Sequence, residues 1–206
     1  MRRLLGTACV LLGLAAGPCA ADLMEQVDYV RIGPMPVPDA ARVEVIEFFY
    51  YGCDACDRFQ PHLSRWLASK PPDVDFHRIP ALRRTAWIPL TRLYYTLHEL
   101  GLLPRLHEEV YRSIHHRQQS LQGREDLVEW AANRQIDPAQ FETVLMSDAV
   151  LIKVQQSRDA TIAYSVTSTP SLVVDGRFLT SGALLGDITR LIPVLDEMID
   201  LARASR

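Results

Sequence analysis

The chain has 206 residues, of which 48% are hydrophobic and 23% are charged, a composition typical of an ordinary globular protein. Its 25 acidic and 22 basic residues give a formal net charge of −3, so the charge balance does not indicate a nucleic-acid surface. The chain is long enough for one sizeable core, or for a core that carries an inserted subdomain.

Residues 1–21 have the pattern of an export signal. Arg2 and Arg3 supply positive charge, residues 4–17 form an apolar stretch without a charged residue, and small residues follow. The pattern predicts cleavage after Ala20 or Ala21. A retained membrane helix is the alternative, but the apolar stretch is short for a membrane span and contains three glycines.

The elements after the signal follow the order β-α-β, then helices, then β-β-α. Apolar, β-branched runs predict the strands, and apolar residues at helical spacing predict the helices. Residues 82–165 are helical in pattern throughout, with five stretches. We therefore expect an α/β domain made of residues 22–81 and 166–206, with residues 82–165 inserted as a helical domain. The predicted strands are 28–32, 43–49, 74–79, 171–174 and 178–179, and the flanking helices begin near residues 57 and 187.

Two of the four cysteines remain after signal cleavage. Cys9 and Cys19 leave with the signal, so Cys53 and Cys56 alone enter an oxidising compartment. A bridge between them closes so small a ring that the chain-entropy model gives only about 2 kcal/mol, against about 3 kcal/mol for a 15-residue loop. The spacing therefore favours chemistry over stabilisation.

The pair lies where the strand 43–49 passes into a helix. Free backbone N–H groups at a helix start stabilise a thiolate, which is the form that attacks disulfides. Cys53 is placed to be that thiolate, and Cys56, one turn later, to resolve a mixed disulfide. An inert bridge and a zinc site are the alternatives, although zinc needs four ligands and no second cysteine pair exists. We predict a redox site without metal or cofactor that makes or breaks disulfides in other proteins.

Residues 47–56, EFFYYGCDAC, resemble the active-site strand and turn of the thioredoxin superfamily, and most closely of DsbA-type periplasmic thiol:disulfide interchange proteins. Thr169-Pro170, before the strand 171–174, is similar to the loop that places a cis-proline beside the cysteines in that superfamily. The predicted helical insertion and the export signal are also features that this chain shares with DsbA-type proteins. The resemblance implies a thioredoxin-like fold with an inserted all-helical subdomain, in a periplasmic protein.

The resemblance also implies a role for each matched residue. Cys53 would be the attacking and substrate-linked sulfur, and Cys56 the buried resolving one. Thr169 and Pro170 would present backbone to an extended substrate peptide, which could pair like an added strand. Glu47 matches the family's buried carboxylate, which would shuttle the Cys56 proton; alternatively it is a polar residue on the solvent side of its strand.

The sequence departs from the family pattern between the cysteines. Ala55 stands where many DsbA proteins have a histidine that stabilises the thiolate, and Asp54 adds a negative charge beside Cys53. An adjacent carboxylate raises the pKa of a thiol. We therefore expect a potential more reducing than that of a histidine-containing DsbA, and a value at or above about −120 mV would exclude this expectation.

Other conspicuous residues have simpler interpretations. His115 and His116 could be imagined as a metal or anion site, but a solvated helix end is the expectation. Tyr50, Tyr51 and Trp87 are candidates for an exposed apolar patch that grips unfolded chains.

We predict a protein-disulfide oxidoreductase that donates its Cys53–Cys56 disulfide to reduced or partly folded exported proteins. A DsbB-like quinone-linked membrane oxidase would reoxidise it, and a monomer that binds no nucleic acid is expected. One alternative is an isomerase or reductase kept reduced by an electron donor, because Thr169 also occurs before the proline in isomerases of the superfamily. Another is a chaperone-like binding module in which the disulfide is incidental.

Overall fold

A computed structural model describes residues 23–206 of the chain. The predicted export signal, residues 1–21, lies outside the described residues and stays a prediction. Within residues 23–206, no helix is both long and apolar enough to cross a membrane.

A five-stranded mixed sheet forms the centre of the described chain. Its strands are β1 (Val30–Arg31), β2 (Val43–Phe49), β3 (Val74–Pro80), β4 (Ser171–Val174) and β5 (Phe178–Ser181). In space they follow the order β1-β5-β4-β2-β3, with β2 and β3 parallel and the other neighbours antiparallel. All seven residues of β2 are buried, which explains why this strand is almost uniformly apolar.

Helices flank the sheet and fill the chain between β3 and β4. They are α1 (Asp54–Ser69), α2 (Ile88–Glu99), α3 (Leu103–Tyr111), α4 (Arg124–Ala132), α5 (Pro138–Leu145), α6 (Asp148–Ala163), α7 (Gly182–Leu185) and α8 (Leu191–Ala204). Short 3₁₀ turns precede α2 and α8, and a π turn, Arg112–His116, continues α3.

Helices α1 and α8 cover one face of the sheet. Phe59 and Leu63 of α1 and Leu195 of α8 are buried against β2 and β4. The indole N–H of Trp66 donates to the Asp196 carboxylate at 2.8 Å, joining the two helices. This packing holds the first turn of α1, and with it the cysteine pair, at the end of β2.

The helical segment packs against the end of β2 that leads into the cysteines. Its core is continuous with Phe49, Tyr51 and Cys56. The second face of the sheet, with Ile46 and Phe48, is covered by residues that follow α6. The active-site turn therefore lies between the sheet and the inserted helices.

The expected α/β class and the helical insertion between the third and fourth strands are confirmed. The last helix begins later than predicted, because Ser181 caps the single turn of α7 and Gly186 ends it at φ 69°. A 3₁₀ turn, Ile188–Arg190, then comes before α8. The proposed division into domains at residues 82 and 165 stays a prediction.

Candidate active site

Cys53 caps the amino end of α1, as its position in the sequence predicted. The backbone N–H of Cys56 donates to the Cys53 Sγ at 3.3 Å, and the Cys53 N–H donates to the Tyr50 carbonyl at 3.0 Å. The Cys53 side chain is partly exposed, whereas Cys56 is completely buried. Of the two sulfur atoms, only that of Cys53 is therefore accessible to a partner in solution.

The two thiols differ in acidity. Hydrogen bonding from the Cys56 thiol, with help from Thr169 and the amides of Cys56 and Ala55, outweighs burial and lowers the pKa of Cys53 from 9.0 to about 6. Burial, and then the hydrogen bond to Cys53, raise the pKa of Cys56 well above its ordinary value. At neutral pH the exposed sulfur is a thiolate and the buried one is a thiol.

Thr169 and Pro170 face the cysteines from the loop before β4. The Thr169–Pro170 bond is cis, and the Cys53 Sγ lies 3.3 Å from the Thr169 carbonyl oxygen. The Ser171 hydroxyl donates to the Ser168 carbonyl at 2.8 Å and the Gly182 N–H donates to the Pro170 carbonyl at 3.1 Å, which fixes the loop on both sides.

Glu47 is buried beneath the active site, so the alternative of a solvent-facing strand residue is wrong. Its side chain is 0% exposed, and it accepts from the Gln60 amide at 3.1 Å and from Arg78 Nε at 2.9 Å. Gln60 lies one helical turn after Cys56 on α1, on the same face of the helix. Burial raises the pKa of Glu47, although Arg78 and Gln60 oppose the rise.

An aromatic cluster supports the turn from the side of the helical segment. The Tyr51 hydroxyl lies 2.8 Å from His107 Nδ1, and both rings contact Phe49 and Tyr111 at centroid distances of 5.0 to 5.5 Å. Burial lowers the pKa of His107 well below its ordinary value, so this imidazole is a neutral hydrogen-bonding partner.

The expected apolar patch is smaller than predicted, because Tyr51 is 1% exposed and belongs to the core. Tyr50 and Trp87 are partly exposed and stack at 4.1 Å with an interplanar angle of 6°. A Cβ at Gly52 would lie 2.6 Å from the Tyr50 ring. A larger residue before Cys53 would therefore displace the Tyr50 ring.

The expectation that His115 and His116 form a solvated helix end is wrong for His115. The His115 side chain is 11% exposed, its Nε2 donates to the Tyr51 carbonyl at 2.7 Å, and its Nδ1 lies 3.0 Å from the Asp54 carboxylate. His116 is 63% exposed and contacts Asp57 at 3.2 Å. The Asp54 carboxylate therefore has a histidine partner, which the expectation based on an isolated charge beside Cys53 did not include.

Three residues around the cysteines escaped prediction from sequence. Gln60 carries a local signal, since it lies four positions after Cys56. Arg78 could be found only from the pairing of β2 with β3, which sets it opposite Glu47, and His115 carries no local signal. Within residues 23–206, no group of three or more histidine, cysteine or carboxylate side chains is arranged to hold a metal ion.

Comparison with known proteins agrees with this geometry. The model of the DSBA-like thioredoxin domain matches residues 73–187. Thiol:disulfide interchange protein DsbA of Bordetella parapertussis is 35% identical over 177 residues, which cover 85% of this chain and 84% of that protein. The protein of the same name from Pseudomonas aeruginosa is 30% identical over 210 residues, covering 100% of this chain and 99% of that protein.

Solved structures extend the comparison to three dimensions. The crystal structure of Pseudomonas aeruginosa DsbA aligns with a TM-score of 0.81 at 29% identity, covering 86% of this chain and 93% of that chain. The oxidoreductase DsbA from Xylella fastidiosa aligns with a TM-score of 0.78 at 29% identity, covering 86% of this chain and 96% of that chain. The expected thioredoxin-like fold and thiol:disulfide oxidoreductase activity are confirmed. The chain belongs to the DsbA family of thiol:disulfide interchange proteins.

Proposed function

We propose that the protein is a periplasmic dithiol oxidase that passes its Cys53–Cys56 disulfide to newly exported proteins. A substrate thiolate attacks the Cys53 sulfur, the bond to Cys56 breaks, and Cys56 leaves with the electron pair and takes up a proton. A second substrate thiolate then attacks the substrate sulfur of the mixed disulfide and expels Cys53 as a thiolate. The substrate gains a disulfide, and the enzyme becomes a dithiol.

The observation that carries the proposal is the contrast between the two sulfurs. Cys53 is accessible and its pKa is lowered to about 6, so it is the better target for attack and the better leaving group in the second step. Cys56 is buried, and burial raises its pKa. A reduced state stabilised by a thiolate makes the disulfide an oxidant, which favours donation over reduction.

The proposed role of Glu47 is to accept and return the proton of Cys56. Both residues are buried, and Gln60, which donates to the Glu47 carboxylate at 3.1 Å, shares a helix face with Cys56. Because burial raises the pKa of Glu47, the carboxyl group is closer to the acidity that general acid–base catalysis needs at neutral pH. Its role is to supply a proton when Cys56 leaves.

Thr169 and Pro170 form the proposed substrate-binding edge. The Thr169 carbonyl lies 3.3 Å from the Cys53 sulfur, so a peptide linked to that sulfur would pass along this loop. An extended peptide there can form backbone hydrogen bonds as an added strand does, with little dependence on its side chains. Such binding suits an enzyme that acts on many reduced or partly folded proteins.

The enzyme must be reoxidised after each turnover. A DsbB-like quinone-linked membrane oxidase would accept the two electrons of the dithiol, and the protein would work as a monomer in the periplasm. The export signal predicted at residues 1–21 and the similarity to thiol:disulfide interchange proteins named DsbA support the periplasmic assignment.

Two measurements test the proposal. Thiol trapping in cells is expected to find Cys53 and Cys56 oxidised, whereas a reduced pair would indicate an isomerase or reductase. In oxidative refolding of a reduced substrate in a buffer that contains oxidised glutathione, Cys53→Ser is expected to abolish activity. In Cys56→Ser, oxidised glutathione converts Cys53 to a glutathione mixed disulfide; a substrate thiolate then displaces glutathione, and the substrate mixed disulfide is expected to accumulate because Cys56 is absent. Full activity of Cys53→Ser would indicate a binding module with an incidental disulfide.

A further inference from the structure

The π turn after α3 directs two histidines at the first turn of α1. His115 contacts Asp54 at 3.0 Å, and His116 contacts Asp57 at 3.2 Å. An α-helix that widens to a π turn shifts the direction of the side chains that follow, and such turns occur frequently at functional sites. Here the turn places side chains of the helical segment beside the active-site cysteines.

His115 is held on three sides. Its Nε2 donates to the Tyr51 carbonyl at 2.7 Å, its Nδ1 faces the Asp54 carboxylate, and its ring stacks on Tyr111 at a centroid distance of 6.0 Å. Both nitrogens therefore face oxygen acceptors, and only the imidazolium can donate to both at once.

We propose that His115 is a positioning residue for the redox site, which neutralises Asp54 beside Cys53 and ties the carbonyl of the active-site turn to the helical segment. The ion pair places no net charge next to the Cys53 sulfur. Without the imidazolium, the Asp54 carboxylate, whose side chain is 81% exposed, would oppose the thiolate as an isolated negative charge.

Among residues 23–206, the charged group in contact with the His115 ring is the Asp54 carboxylate of α1. Its other contacts are neutral: the Tyr51 carbonyl of the active-site turn and the Tyr111 ring of α3. His116 is the next residue, but its own partner is Asp57. The proposal rests on the thiol:disulfide chemistry and not on the direction in which electrons flow in the cell.

The test is a charge-compensation experiment on the folded, reduced protein. The thiolate absorbance of Cys53 is titrated in the wild type, His115→Gln, Asp54→Asn and the double variant, and each is equilibrated with glutathione. Glutamine can still donate to the Tyr51 carbonyl. His116→Gln is the matched control, since it removes the neighbouring histidine–carboxylate pair from the same π turn.

Removal of one neighbouring charge that solvent partly screens is expected to shift a pKa by about 0.5 to 1 unit. His115→Gln is expected to raise the pKa of Cys53 by that amount and to make the disulfide about three- to fivefold less oxidising at pH 7, which corresponds to about 15 to 20 mV. Asp54→Asn combined with His115→Gln is expected to restore the wild-type values, because no uncompensated charge remains.

Three results would overturn the proposal. The first is a glutathione equilibrium that His115→Gln leaves unchanged within error, and the second is an equal shift from His116→Gln. A double variant as perturbed as His115→Gln would indicate that His115 acts only by supporting the turn. If His115→Gln does not fold, Asp54→Asn is the deciding variant, because Asp54 is exposed. Its Cys53 pKa is expected to be lower than that of the wild type. A higher pKa would contradict the proposal that the charges of Asp54 and His115 act on Cys53.

Discussion

The acidity of Cys53 makes the stability of the reduced protein depend on pH. The pKa of this thiol is lowered from 9.0 to about 6 in the folded state, so the folded state binds the proton less tightly than the unfolded state. The thiolate therefore stabilises the folded, reduced protein. This contribution is complete above pH 9, the pKa of the unfolded state, and is lost as the pH falls through about 6, the pKa of the folded state.

The magnitude at a given pH follows from the two pKa values. At pH 7 the thiolate contributes up to about 1.4 kcal/mol, and at pH 5 almost nothing. The sulfur is partly exposed, and solvent screening lowers the figure, so we expect about 1 kcal/mol. The disulfide form has no thiolate, so the same free energy makes the protein up to about 30 mV more oxidising.

Urea unfolding of the reduced protein at pH 5 and pH 7 measures this contribution. Cys53→Ala is the control, because it removes the titrating sulfur and leaves every other ionisable group in place. From pH 5 to pH 7, the free energy of unfolding of the wild type is expected to rise by about 1 kcal/mol more than that of Cys53→Ala. Parallel pH profiles of the two proteins would refute the assignment of a thiolate at Cys53.

Two further predictions concern the surroundings of the site. Burial raises the pKa of Glu47 above 4.5, so the folded state binds that proton more tightly, and the free energy of unfolding falls as the pH rises from about 4.5 through the raised value. Glu47→Gln is expected to flatten this part of the stability–pH profile in urea unfolding; an unchanged slope would exclude Glu47 as its source. Gly52→Ala is expected to cost about 1 to 3 kcal/mol, because the new Cβ would meet the Tyr50 ring at 2.6 Å and moving that ring would disturb its stacking on Trp87. Gly33→Ala, where no atom lies within 4 Å of the added Cβ, is its control, and equal losses from the two variants would contradict the steric reason.

The parts of the site that the sequence predicted are those with local signals. A strand followed by a helix places Cys53 at a helix start, whatever the rest of the chain does. The resemblance then identified Pro170 and Glu47, whose positions relative to the motif are regular within the family. The boundaries of β2, β3 and β4 were predicted to within one residue. Strands β2 and β4 are mostly apolar runs, β3 has apolar residues at Val74, Phe76 and Ile79, and turn residues precede β3 and follow β4.

The electrostatics of the site could not be predicted in the same way. His115 contacts a carbonyl that is 64 positions away along the chain, and the contact depends on a π turn that has no recognisable sequence pattern. Arg78 reaches Glu47 only through the register of two parallel strands. Reasoning from the neighbours of Cys53 therefore counted the charge of Asp54 and missed the histidine that contacts it.

The cysteines and the loop that completes their environment are far apart in the chain. Cys53 and Thr169 are separated by 116 positions, with all five inserted helices between them. A chain that crosses a membrane amino end first exposes both thiols long before residue 169 emerges. Until then the sulfurs lack this neighbour, so the full reactivity of the pair arises only once translocation is nearly finished and the distant strands have met.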